Sequence, residues 1–276
     1  LFLLVAIRIE FHLISMQESG DFPAGRFERK YLVPDRVAVA IREALAPHVH
    51  LDEHMPQGKA RGYVVYSLYY DSPALELYQH TRNRLPNRIK LRVRYYDNDP
   101  ASAAFVEIKE KQENQVHKRR FRADKPLVEA LLRDPNSEPV AHALSNGARG
   151  TALEEFCLRR QDLGAVPKLF VAYEREAYNS NSEPLVRVTF DRRIKANPCG
   201  AGGRLAAINY GSNVGGLNVL LEFKYAGEPP GWLTDVITEF RLRRASFSKF
   251  AECMDVLGLS GRQPRRHRLG VKKSKS

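Results

Sequence analysis

The chain has 276 residues, 43% of them hydrophobic, enough for one large domain with its own core or for two modest ones. Its 44 Lys and Arg against 32 Asp and Glu leave a formal charge of +12, which points to an anionic partner: nucleic acid, an anionic membrane surface or a phosphorylated small molecule. The three cysteines, Cys157, Cys199 and Cys253, give neither a disulfide framework nor metal-ligand spacing and suit a reducing, cytoplasmic setting.

Residues 1–15 are apolar but interrupted by Arg8, Glu10 and His12, too short and too charged to span a bilayer. They lack the positive start and small-residue cleavage site of a signal peptide. Two readings fit them: an extension outside the folded unit, with translation starting at Met16, or a weak interfacial anchor at a membrane surface. The folded domain is expected over 16–260.

Within it, 26–33 reads as the first strand, stopped by Pro34. Asp35 is expected to cap a helix whose Val37, Ile41, Ala44 and Leu45 recur at helical spacing before Pro47. Residues 48–61 read as a loop. In it His48, His50 and His54 gather with Asp52 and Glu53, more in keeping with a polar loop than with a metal site. Residues 62–71, rich in Tyr and Val, read as a strand. Three strands follow over 88–97, 104–112 and 116–123, with gaps short enough for hairpins.

Asp124 caps a helix to 133, 134–150 is a polar linker, and Thr151 with Glu154 makes a capping box for a helix to about 163. Strands are expected over 168–178, 185–194, about 203–209 and 217–225, with turns at 179–184 and 198–203. Two closing helices cover 232–242 and about 246–257, stopped by Gly258. Residues 261–276 are basic and without apolar periodicity, which predicts a disordered tail.

Side chains of a strand alternate between two faces, so each strand splits by parity. Ile89, Leu91 and Val93 oppose Lys90, Arg92 and Arg94. Val106 and Ile108 oppose Glu107, Lys109 and Lys111. Lys118, Arg120 and Arg122 share a face, as do Arg26, Glu28 and Lys30. Val186, Val188 and Phe190 oppose Arg187, Thr189 and Asp191, and Leu221, Phe223 and Tyr225 oppose Glu222 and Lys224.

One such strand is an ordinary half-solvated sheet. Six of them, with polar faces dominated by one sign of charge, need an anion to offset the repulsion between neighbours. Closing the sheet into a barrel would aim these faces at one ligand and leave the apolar faces to helices. Glu28, Glu107, Asp191 and Glu222 stand among the cations. They are expected either as ion-pair partners or as oxygen ligands for Mg²⁺ or Mn²⁺. A Walker loop, a G-x-G-x-x-G turn and an H-E-x-x-H motif are all missing, which excludes those phosphate cradles and that zinc chemistry.

Nine segments in order resemble the VTC domain, the polyphosphate polymerase branch of the triphosphate tunnel metalloenzymes. They are residues 27–31 (FERKY), 67–71 (SLYYD), 90–95 (KLRVRY), 107–111 (EIKEK), 118–121 (KRRF), 173–175 (YER), 186–191 (VRVTFD), 221–224 (LEFK) and 246–250 (SFSKF). The likeness runs from 26 to 258. It implies an α+β fold in which an eight-stranded antiparallel β-barrel forms a triphosphate tunnel with helices packed outside. It implies phosphate contacts from Lys30, Arg92, Arg94, Lys109, Lys118, Arg175, Arg187 and Lys249, with Tyr173 nearby and Glu222 as the divalent-metal ligand. Strand parity adds Lys90, Lys111, Arg120 and Lys224 to the binding face.

The activity implied is transfer of the terminal phosphate of ATP to inorganic polyphosphate. Lys30, Arg92, Arg94, Lys109 and Lys249 would be its catalytic cations, and polymer export would need a membrane-protein partner. Hydrolase and cyclase relatives carry E-x-E-x-K on the first strand, whereas this chain has Arg26, Glu28 and Lys30, which favours the polymerase branch. A tripolyphosphatase or nucleoside triphosphatase in the same tunnel, and a non-catalytic polyphosphate sensor, are the rival readings. No base-stacking aromatic pattern of an RNA module is present, so specific nucleic-acid binding is not expected.

Overall fold

A computed structural model describes residues 26–53, 55, 62–113, 115–199, 205, 211–216 and 218–263. The readings for 1–15, for the strand at 203–209 and for nearly all of the basic tail lie outside the described residues.

Eight long or medium strands carry the fold. In chain order they are β1 (Arg26–Pro34), β3 (Tyr63–Asp71), β4 (Arg88–Tyr95), β5 (Ala103–Gln112), β6 (Gln115–Asp124), β7 (Val166–Ser180), β8 (Val186–Pro198) and β10 (Asn218–Ala226). Two short ones, β2 (Val49–Leu51) and β9 (Ser212–Asn213), add to β7 and β8. The sheet order is β1-β10-β8-β7-β3-β4-β5-β6, antiparallel throughout.

This corrects one expectation. The sheet is not closed: β1 and β6 are its two edges, and no ladder joins them. It nevertheless curls far enough that Lys109 on β5 reaches Glu28 on β1 at 3.3 Å. The shape is a deep trough rather than a barrel. The reason lies in β6, where His117 and Arg119 carry polar groups on one face and Lys118 and Arg120 on the other, all but Arg120 exposed. A strand with no apolar face at its start gains nothing from burial and suits an edge.

The parity split holds where it was drawn. Leu91, Val93, Val106, Ile108, Val186, Val188, Phe190, Leu221, Phe223 and Tyr225 are fully buried. Two apolar layers cover the outside of the sheet. One packs α1 (Asp35–Leu45) and α6 (Gly231–Glu239) over β1, β8 and β10. The other packs α3 (Lys125–Arg133), α4 (Glu138–Ala143) and α5 (Ala152–Asp162) over β3 to β7.

Several local expectations change. Asp35 is the first helical residue rather than the cap, and its carboxylate accepts from Arg192 Nε at 3.0 Å. Asp124 does cap α3, accepting from Leu127 N at 2.8 Å. Thr151 caps α5, but Glu154 reaches back to Gly150 N, one residue short of a reciprocal box. The polar linker at 134–150 contains α4 and a wide turn over Leu144–Ala148.

The helix α2 (Glu76–Arg82) had no sequence cue, because its N-terminus is satisfied from outside it. Asp71, at the end of β3, accepts from Leu77 N at 2.8 Å and Tyr78 N at 2.9 Å. In turn α2 anchors α7 (Lys249–Val256). Arg82, buried, donates to Glu252 at 2.7 Å and pairs with Asp255, which also accepts from Tyr78 Oη. This buried cluster fixes where the first turn of α7 points. Arg82→Met removes the cation that Glu252 and Asp255 share and leaves both buried carboxylates without its charge, which costs about 3–5 kcal/mol. Urea unfolding checks this, and a loss below 1 kcal/mol, the usual surface value, would show the cluster to be dispensable.

Candidate functional site

The inner face of the trough encloses a cavity of about 100 Å³ lined by Glu28, Lys30, Tyr69, Lys90, Arg92, Arg94, Lys109, Tyr173, Arg175, Glu222, Lys224, Ser248, Lys249 and Phe250. Eight of these are cations and two are carboxylates. They arrive from seven elements: β1, β3, β4, β5, β7 and β10 by alternation, and the start of α7 from the end of the trough.

Cross-strand register sets opposite charges face to face. Lys30 stands opposite Glu222, Glu28 opposite Lys224, Arg175 opposite Asp191 and Arg92 opposite Glu107. The result is a continuous ribbon of alternating sign. Lys109 meets Glu28 at 3.3 Å, and Glu28 meets Lys30 at 2.8 Å. Lys30 meets Glu222 at 3.3 Å, and Glu222 meets Lys249 at 3.7 Å. Lys249 meets Asp191 at 2.5 Å, and Arg175 grips both oxygens of Asp191 at 2.7 and 2.8 Å. On the other wall Glu107, fully buried, holds Arg92 at 2.6 Å with Lys118 and Arg120 at 3.3 Å.

The electrostatics follow from this geometry. Burial alone would raise the Glu222 carboxyl, yet Lys30 and Lys249 hold it below the usual range. Burial is likewise overcome at Glu28 by Lys109 and Lys30, at Glu107 by Arg92 and Arg94, and at Asp191 by Arg175 and Lys249. All four stay ionised. Burial opposes the charge on Lys30 and Lys249 too, but their acidic neighbours hold both above the ordinary lysine value. Tyr69 shares this field. Burial pushes its phenol up, and Arg92, Arg94 and Lys249 bring it below its ordinary value.

Arg94 differs from its neighbours. Its guanidinium donates to Tyr173 Oη at 3.2 Å and its Nε to Ser67 Oγ at 3.4 Å, both neutral groups. Lys249 lies 4.5 Å from the centre of the Tyr173 ring, within cation–π range. Tyr173 thus spaces two cations without neutralising either.

Nine of the thirteen cationic or aromatic residues expected at the site line the cavity: Lys30, Lys90, Arg92, Arg94, Lys109, Tyr173, Arg175, Lys224 and Lys249. The other four do not. Lys118 and Arg120 are engaged by Glu107, and Arg120 also covers the Phe105 ring. Arg187 is bound to Asp52 at 2.6 Å. Lys111 turns toward the Glu113 carbonyl at the hairpin tip. Of the carboxylates, only Glu28 and Glu222 line the cavity, while Glu107 and Asp191 sit beneath its floor as counter-ions. The histidine cluster does not form a site: His48 stacks on Trp232 and His50 bonds Asn181, and His54 is outside the described residues.

Tyr69, Ser248 and Phe250 were not singled out in advance. Tyr69 stands opposite Arg92 in register, so parity along β3 was the available signal. Ser248 and Phe250 flank Lys249 on α7, and their approach to the sheet depends on the Arg82 cluster, which no local pattern reveals.

A curled antiparallel sheet with a basic inner face, enclosing one cavity and covered outside by helices, is the architecture of a protein that holds a small polyanion inside its sheet. The VTC domain family matches residues 25–258, and the chain belongs to that family. No curated protein matches. Among solved structures, a candidate adenylate cyclase from Bacillus halodurans is 11% identical with a TM-score of 0.42, covering 81% of this chain and 95% of that one. The PH1819 protein of Pyrococcus horikoshii OT3 is 11% identical with a TM-score of 0.40, covering 86% and 99%.

The depressed carboxylates define an acid limit. Each has a folded value below its unfolded one, so its contribution is present above about pH 4.5 and is lost as the pH falls through the folded value. The thermal midpoint is expected to stay level from about pH 7 to about pH 5 and to drop steeply below about pH 4. A midpoint that stays level down to about pH 3 contradicts the pairing scheme.

Proposed function

We propose that the cavity binds a chain of linked phosphates and that the protein transfers the terminal phosphoryl group of ATP to inorganic polyphosphate. The observation that carries this is the ratio of eight cations to two carboxylates lining one cavity, inside a fold of the VTC family. Phosphoryl transfer asks a protein mainly to position the reactants and to stabilise charge on non-bridging oxygens. A terminal oxygen of the acceptor bonds to the γ-phosphorus as the bond to the ADP oxygen breaks. That acceptor oxygen is already anionic, so no general base is required.

The residues divide by what already holds them. Lys30 lies between Glu28 and Glu222, Lys249 between Asp191 and Glu222, and Lys109 against Glu28. The hydrogen bonds of Arg94 go instead to the neutral Ser67 and Tyr173 hydroxyls, which leaves its guanidinium the better placed to take up the ligand. The N-terminus of α7, capped by Ser248, meets the cavity through Ser248, Lys249 and Phe250, a favourable place for phosphate oxygens.

A divalent ion belongs to this reading. Among the described residues no three His, Cys, Asp or Glu side chains form a metal cluster. The donors that fit are Glu28 and Glu222, hard oxygen ligands at the cavity wall, with phosphate oxygens and water completing the shell as Mg²⁺ and Mn²⁺ prefer. Such an ion, when bound, would supply Lewis-acid polarisation to the phosphate chain. Among the described residues no helix is long and apolar enough to cross a membrane. A membrane-protein partner for polymer export stays part of the proposal.

Incubation with γ-labelled ATP and Mn²⁺, followed by separation of long-chain polyphosphate from free phosphate, tests the reaction. Label in long chains is expected. Label only in free phosphate assigns the cavity to hydrolysis instead. Metal-free tripolyphosphate is expected to raise the thermal midpoint, because a ligand selective for the folded state stabilises it by mass action.

Arg94→Ala should weaken that binding by about 1.5–3 kcal/mol, the range for a hydrogen bond to a charged group. Glu222→Gln should abolish transfer while metal-free tripolyphosphate binds as tightly or more tightly, since a repelling carboxylate is gone. Glu110→Gln is the control. Glu110 pairs with Arg119 and Arg159 on the outer face and should be silent. Full activity in Glu222→Gln alongside a dead Glu110→Gln would invert the assignment of faces.

A further inference from the structure

The cavity lysines differ in one respect. Lys30, Lys109 and Lys249 each touch at least one carboxylate within 3.3 Å, and Lys224 has Glu222 at 3.8 Å. Lys90 does not follow the pattern. It stands directly opposite Lys109 in the β4–β5 ladder, and Lys109 stands opposite Lys118 in the β5–β6 ladder. Three lysines therefore lie in one row across three strands. Lys109 is matched by Glu28 and Lys118 by Glu107. Among the described residues, the polar partner of Lys90 is a hydroxyl, Ser248 Oγ at 3.0 Å.

The charged groups that press hardest on Lys90 share its sign. Lys109 presses on it from β5, Lys30 from β1, and Arg88 and Arg92 from its own strand, while α7 brings the Ser248 hydroxyl against it and Lys249 to the same cavity. Glu28 and Glu222 line that cavity too, but their ion pairs go to Lys30, Lys109, Lys224 and Lys249. Like charges directly opposite one another destabilise a ladder. An amine has a remedy that a guanidinium lacks, which is to give up its proton. Burial first, and these four cations second, drive the Lys90 ammonium well below the ordinary lysine value of 10.5. Lys109, despite Glu28, is also drawn down, by burial and by Lys30 and Arg92. The pressure is thus greatest at this end of the row.

We propose that Lys90 is the proton-uptake site of the cavity, a neutral amine when the cavity is empty that gains a proton when a bound phosphate chain supplies the counter-ion it lacks. This rests on the reading of the cavity as a phosphate site. Anion binding and protonation are then linked. Where the pH lies between the empty and the occupied values of Lys90, binding takes up about one proton, and affinity falls up to about tenfold for each unit of rising pH. Below that window Lys90 is charged in both states, and above it neutral in both, so the dependence flattens on either side.

Isothermal titration of metal-free tripolyphosphate into the full chain, in buffers of different ionisation enthalpy, reads the proton count directly. The comparison is between the wild type, Lys90→Arg, which cannot lose its charge, and Lys90→Met, which cannot gain one. Thermal melts confirm that each is folded. The ligand's own titration is common to all three and cancels in the difference.

The wild type is expected to take up close to one proton more than either variant at the pH of greatest difference, and to lose affinity more steeply with pH than both. Equal proton counts in the wild type and either folded variant overturn the assignment to Lys90 and leave the phosphate reading standing. Failure of the wild type to bind tripolyphosphate at any pH overturns both.

Discussion

Cations crowded into one cavity repel, and a pair of them at about 4 Å costs about 4 kcal/mol at the effective dielectric near a protein surface. What makes the trough stable is its set of buried carboxylates. Glu28, Glu222 and Asp191 are threaded between Lys109, Lys30, Lys249 and Arg175, and Glu107 holds the opposite wall. Each acid shares its charge among two or more cations. The interior is therefore fixed in shape while still carrying an excess of positive charge. Removing any one acid both loosens the wall and deepens the attraction for an anion, so stability and affinity pull in opposite directions at these positions.

Much of this was legible in the sequence because a strand keeps its two faces distinct. The alternation of Lys90, Arg92 and Arg94 with Ile89, Leu91 and Val93 showed which side of β4 faces the cavity, and similar splits placed Lys30, Lys109, Glu222 and Lys224. Parity stops at the strand, however. It could not say that Arg187 is taken by Asp52 or that Lys118 and Arg120 share Glu107, since both depend on which strands become neighbours. It could not separate Glu28 and Glu222, on the wall, from Glu107 and Asp191, beneath it. Nor could it decide closure, which depends on whether an edge as charged as β6 finds a partner.

Helices were read well where the cap is local and missed where it is not. Asp124 caps the helix that follows it and that helix was placed from the pattern; α7, which Ser248 caps, was placed only roughly, from its Gly258 stop. The N-terminus of α2 is bonded to Asp71, at the end of the preceding strand, and α7 is oriented by Arg82 from α2. A short helix of modest propensity is held by tertiary contacts. Its position was settled by a buried charge cluster rather than by its own composition.

The pairing of β1 with β10 carries a consequence for how the chain matures during translation. The strand that supplies Glu28 and Lys30 leaves the ribosome early, yet its neighbour spans Asn218–Ala226 and the helix bearing Lys249 comes later still. At about 5–20 residues per second, β1 waits roughly ten seconds or more for its partner. The cavity cannot be complete partway through synthesis, and its walls come together only after the last of them, the start of α7, has been made.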